Sequence, residues 1–195
     1  GRVVLFGGYD SVKGLVDDTW EFDGAVWRLM SSVTNPPPAR QDHAMAYDSA
    51  RKRIVLFGGT NQSGYLSDVW EWNGILWQAV TPATTSPPAR SNSRAMVYDK
   101  SRRRTVLYGG WNGGRVVDTW EYDGNDWSQI VTATNPSARN SHVLVHDADR
   151  GRTILFGGRG AINDLWEYAG SSCYMTADVA TVSITTGGTQ TLTLD

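Results

Sequence analysis

Apolar and polar positions along the chain fall into short runs separated by glycine, proline and charged residues, a pattern that predicts strands rather than helices. The clearest cycle begins at His43-Ala44-Met45-Ala46-Tyr47-Asp48, the first strand expected. A turn at Ser49–Arg53 leads into Ile54-Val55-Leu56-Phe57, apolar throughout, as expected of a strand covered on both faces. Val69-Trp70-Glu71-Trp72 predicts a third strand, with Asn73-Gly74 as a tight hairpin turn. Leu76-Trp77-Gln78-Ala79-Val80 predicts a fourth. Thr81–Pro88, rich in proline and threonine, reads as a connection from one sheet to the next.

The cycle repeats. Leu5-Phe6-Gly7-Gly8, Leu56-Phe57-Gly58-Gly59, Leu107-Tyr108-Gly109-Gly110 and Leu155-Phe156-Gly157-Gly158 recur, their first glycines 51, 51 and 48 residues apart. Each is followed by Asp-x-Trp-Glu-aromatic, at Asp18–Phe22, Asp68–Trp72, Asp118–Tyr122 and Asp164–Tyr168. Three copies run on to Gly-x-x-Trp, ending at Trp27, Trp77 and Trp127. A Pro-x-Ala-Arg block ends at Arg40, Arg90 and Arg139. Four-stranded sheets stacked at a period near fifty residues describe a β-propeller. The blades expected are about 1–34, 39–84, 89–134 and 138–170, the first and last incomplete. That makes roughly half a ring, and the rest of the propeller is expected from sequence outside this stretch.

The glycine doublet, the paired tryptophans and the fifty-residue period resemble Kelch repeats over about residues 1–169, most closely the bacterial galactose-oxidase-central-domain type. The resemblance implies an interaction scaffold on a secreted or surface bacterial protein, with a protein or carbohydrate partner. It also admits an enzyme: a galactose-oxidase-like copper radical oxidase, a sialidase or a sugar epimerase. The copper centre of the oxidases needs two tyrosines, two histidines and a crosslinked cysteine. Cys173 is the one cysteine and lies outside the repeats, so this stretch by itself cannot supply that centre. No catalytic constellation and no cofactor is expected here.

Recurrence sorts the remaining residues. A structural residue must appear in every blade, whereas a functional one need appear only once. Gly58, Gly59, Gly109 and Gly110 therefore read as backbone devices, since no helix or lysine-serine pair follows to make a phosphate cradle. Trp70, Trp77, Trp120 and Trp127 read as packing between blades. Glu21, Glu71, Glu121 and Glu167 need partners if buried, and Arg40, Arg90 and Arg139 are the candidates. Asp18, Asp68, Asp118 and Asp164 are expected to cap the turn into strand three. His43 and His142 hold equivalent positions, Arg94 fills that place in the middle repeat, and no His/Cys/carboxylate set has metal-ligand spacing.

One-off residues gather between strands two and three. In the layout that the resemblance implies, those loops share a face with the connections between blades, where ligands bind. Tyr9, Asn61, Tyr65, Trp111, Asn112, Arg115 and Arg159 are the candidates: rings to stack, amides and guanidinium groups to bind oxygens. Trp111 leads them, because Tyr9, Thr60 and Arg159 stand at its place in the other repeats.

Composition narrows the partners. The chain has 195 residues, 20 acidic against 18 basic, and a net charge of −2, which argues against nucleic acid or an anionic membrane held by bulk electrostatics. No apolar run approaches the roughly 18 residues of a membrane span. The stretch 171–195 changes character: alternating runs on either side of Gly187-Gly188 read either as a hairpin opening a separate β domain or as a disordered tail.

Overall fold

The computed structural model describes residues 1–31, 34–91, 96–160 and 162–170. The expected hairpin in 171–195, Cys173 and Arg94 lie outside the described residues. The fold is all-β and antiparallel. The first sheet joins β1 (Val3–Asp10), β2 (Gly14–Phe22) and β3 (Trp27–Leu29) in that order. In the second, β4 (Ala44–Asp48), β5 (Arg53–Phe57), β8 (Val69–Trp72) and β9 (Trp77–Val80) form the sheet, and β6 (Thr60–Asn61) and β7 (Gly64–Tyr65) form a short ladder between its middle strands. The third runs β10 (Met96–Asp99), β11 (Arg104–Tyr108), β12 (Thr119–Tyr122) and β13 (Trp127–Ile130). The fourth is β14 (Val143–Asp147), β15 (Arg152–Phe156) and β16 (Leu165–Tyr168). The four sheets are arranged as the blades of a β-propeller.

The innermost strands are β4, β10 and β14, which pack against one another where the sheets converge. Convergence explains the small residues there. Ala44 and Ala46 of β4 are buried, with Val55, Phe57 and Val69 on the same sheet face. Against them pack Met96, Leu107, Trp120, Tyr122 and Trp127 of the next sheet. Each interface sets strand-two residues of one blade against aromatic residues from strands three and four of the next. Phe6 meets Leu56, Trp72 and Trp77 between the first two blades, and Val106 meets Tyr168 between the last two. Burial of the ring faces supplies most of the driving force.

The alternation of strand direction separates two ends of the molecule. Loops between strands two and three emerge at one end together with the connections between blades. Turns between strands one and two, and three and four, emerge at the other. One of these differs from the expected tight turn: Trp72 pairs with Trp77, so residues 73–76 form a four-residue loop. The Asn73 side-chain oxygen accepts the amides of Ile75 and Leu76 at 2.8 and 2.9 Å, which holds this longer loop without a two-residue turn.

Candidate functional site

Two sets of recurring polar contacts lock the blades before any binding surface is considered. At the loop end, Arg40, Arg90 and Arg139 are completely buried. The Arg40 guanidinium donates to both Asp68 oxygens at 2.6 and 2.7 Å and to the Gly58 carbonyl at 3.0 Å. Arg90 makes the same set with Asp118 and Gly109, and Arg139 with Asp164 and Gly157. Its side chain thereby clamps its own blade. Its backbone clamps the one before: the amides of Gly8, Gly59 and Gly110 donate to the carbonyls of Arg40, Arg90 and Arg139 at 2.8–2.9 Å.

This clamp explains the glycine doublet. Gly58 has φ 65° and Gly109 φ 61°, the left-handed region. A Cβ on Gly58 would lie 2.8 Å from the Arg90 carbonyl, and one on Gly109 would lie 2.6 Å from that of Arg139. Asp68, Asp118 and Asp164 also accept the indole N–H of Trp70, Trp120 and Trp166 at 2.7–2.8 Å. The expectation that these aspartates cap turns is corrected: each is the anchor of a buried arginine.

The expected pairing of the strand-three glutamates with Arg40, Arg90 and Arg139 is corrected too. Those arginines are consumed at the loop end. Glu71 instead accepts from Arg51 at 2.7 Å and from the Tyr122 hydroxyl of the next blade at 3.0 Å. Glu121 repeats this with Arg102 and Tyr168, and Glu167 pairs with Arg150. Glu21 pairs with Arg2 and accepts the Trp72 indole N–H. Arg51, Arg102 and Arg150 also bind Asp48, Asp99 and Asp147 three residues earlier. The signal for them was present as a recurrent Asp-x-x-Arg after strand one.

Two histidines sit in the loop-end framework. Burial, aided by the nearby Arg40 and Arg139 guanidinium groups, pushes His43 and His142 down to about 4. Both are therefore neutral in the folded protein at pH 7. The unfolded chain takes up protons near pH 6.5 while the folded one does not, so stability is fully present above that pH and falls from about 6.5 down to about 4. The expected loss is of order 3 kcal/mol per histidine across that window. Urea unfolding at pH 7 and at pH 5 measures it. His142→Leu should remove its share of the slope, because leucine does not titrate.

On this framework stand the one-off residues. Backbone bridges pair Gln41 with Thr60 and Ser91 with Trp111, fixing each loop at its base. Trp111 is half-buried, and its indole N–H donates to the Tyr65 hydroxyl of the preceding blade at 3.0 Å. The Arg115 guanidinium crosses the other way and lies against Gly160 in the loop of the fourth blade, 3.1 Å from where a Cβ would stand. Tyr65, Trp111 and Arg115 thus form a row from two adjacent blades that reaches Gly160 of a third. Asn112 and Arg159 are exposed beside it. Asn61 is turned to its own loop, accepting the Ser63 amide at 2.8 Å. Tyr9 is exposed on the hairpin of the first sheet. Among the described residues, no three His, Cys, Asp or Glu side chains converge as metal ligands would.

Repeated four-strand meanders joined by a buried arginine and a glycine doublet define a β-propeller of the interlocked type. The chain matches the KLHDC2/KLHL20/DRC7 Kelch-repeats domain over residues 1–185 and belongs to the Kelch-repeat family. No similar protein was found among the curated proteins compared with it. A Kelch propeller is in general a protein-interaction scaffold, and no described helix is long and apolar enough to cross a membrane.

Proposed function

We propose that this chain is a non-catalytic scaffold that holds a protein partner on its loop end, with the Trp111 ring as anchor. The observation that carries this reading is the indole–phenol contact between Trp111 and Tyr65. It presents two aromatic rings from adjacent blades on a rigid base, while the loop tips around them stay free. Arg115 and Arg159 beside the rings suit a partner segment that carries acidic groups. Aromatic and arginine anchors surrounded by small polar residues are the composition of interface hot spots. A surface or secreted bacterial setting, and a sugar in place of a peptide, belong to the same reading in its wider form, since stacked rings and amides serve both.

A peptide and glycan array probed with the intact chain, followed by titration of the strongest ligand, tests the proposal. Trp111→Ala should cost about 1 kcal/mol of stability, through the lost bond to Tyr65, and weaken the ligand at least ~10-fold. Arg115→Ala should weaken an acidic peptide and spare a neutral one. Unchanged affinity in Trp111→Ala would remove the loop-end site. Ligands confined to glycans would replace the protein partner with a sugar.

A further inference from the structure

The contact between Trp111 and Tyr65 has a counterpart one blade further on. The amides of Leu66 and Val116 donate to the carbonyls of Gly59 and Gly110 at 2.9 and 3.1 Å, so these two residues hold equivalent places in their loops. Tyr65 and Arg115, one residue earlier in each, are therefore equivalent too. Trp111 and Arg159 each follow a glycine doublet and share a second place. Between the second and third blades, these two places couple a phenol to an indole at 3.0 Å. Between the third and fourth, both are arginine.

Two guanidinium groups cannot bond to each other, since each is charged and carries donors only. Arg115 nonetheless turns towards Arg159. Its guanidinium lies 3.1 Å from where a Cβ on Gly160 would stand, one residue along. Glycine at 160, with φ 107°, leaves the room for it. Arg159 is anchored through its backbone, its amide donating to the Asn140 carbonyl at 2.9 Å. Both side chains are exposed.

Nothing in the fold neutralises this couple. The nearest acids along the chain are already taken, Asp118 by Arg90 and Asp164 by Arg139. Among the described residues, no carboxylate pairs with Arg115 or Arg159. Arg28 and Arg150, also exposed, do hold carboxylates, those of Asp23 and Asp147. Trp111 and Arg115 stand opposite each other in a backbone bridge, which sets both side chains on one face of their loop.

We infer that Arg115 and Arg159 together form a phosphate-binding site, which takes a phosphorylated side chain of the protein partner held at the loop end. The inference rests on the loop-end reading above and specifies the partner's chemistry. Charge favours phosphate over carboxylate. A carboxylate carries one charge and is satisfied by one guanidinium fork. A phosphate monoester carries about −1.5 to −2 charges and three acceptor oxygens, enough for two. The Trp111 indole, on the same face as Arg115, then holds an apolar neighbour of the phosphorylated residue.

Fluorescently labelled peptide pools, randomised on both sides of a central phosphoserine, phosphotyrosine, glutamate or serine, are the probes, titrated into the intact chain by anisotropy. At least one phosphorylated pool should bind ~10-fold or more tightly than the glutamate and serine pools. Arg115→Gln and Arg159→Gln should each abolish that preference while melting as the parent does. Arg28→Gln, at the turn end, should keep it, which separates the site from bulk charge. Trp111→Ala should weaken every pool by a similar factor. Equal affinity for the phosphorylated and glutamate pools would overturn the phosphate site and leave the loop-end reading standing. A phosphate preference that survives both arginine substitutions would overturn it as well. So would tighter binding to phosphatidylcholine vesicles doped with a phosphoinositide than to either phosphorylated pool, which would put a membrane in the partner's place.

Discussion

Arg90→Ala is expected to lower the unfolding free energy by about 3–5 kcal/mol, the range for breaking a buried ion pair from one side. The guanidinium is completely buried and satisfies Asp118, the Gly109 carbonyl and the Pro88 carbonyl together. Among the described residues, removing it leaves the Asp118 carboxylate with the Trp120 indole N–H, at 2.8 Å. Arg90→Lys should recover little, because a single ammonium cannot reproduce a planar fork that meets two carboxylate oxygens and a carbonyl. Urea unfolding gives the number. A loss below about 1 kcal/mol would mean that the buried pair contributes no more than one at the surface.

Trp127→Ala should cost a comparable ~3–5 kcal/mol, for a different reason. Its ring is 1% exposed and lies tilted against Tyr122 at 5.1 Å and Phe57 at 5.3 Å, bridging two blades. Truncation would open a cavity in the largest core cluster. Trp70→Ala should cost less, since Trp70 is half-buried at the side of its cluster. The same unfolding series checks the order. A larger loss at Trp70 than at Trp127 would place the weight of the interface on strand three instead of strand four.

The sheets were legible in the sequence because each blade repeats the same burial demand. Leu56, Leu107 and Leu155 must be apolar since neighbouring sheets cover them, and the glycine doublet ends the same strand each time. Partner assignment was less legible. Three arginines recur in each repeat, and a glutamate that needs a cation is equally served by any of them on charge alone. Geometry decides: Arg40, Arg90 and Arg139 emerge at the loop end, where Asp68, Asp118 and Asp164 also stand, whereas Glu71 lies at the turn end near Arg51. Sequence spacing carries no information about which end of a strand a side chain occupies until the meander is laid out.

The candidate site divides in the same way. Trp111 stood out by lacking counterparts in other repeats, and Tyr65 by its place in an equivalent loop. Their hydrogen bond depends on the angle between adjacent blades, which no local pattern encodes.

The account rests on one division: recurring residues at the loop end lock adjacent blades, and the residues between them are free to bind. Amide hydrogen exchange at Gly59 and Gly110 tests this most directly. These amides donate across the blade interface to the Arg90 and Arg139 carbonyls at 2.9 Å. They should exchange at least ~10³-fold more slowly than the amides of Gln62 and Gly113 at the loop tips. Exchange of Gly59 and Gly110 as fast as at those tips would contradict it.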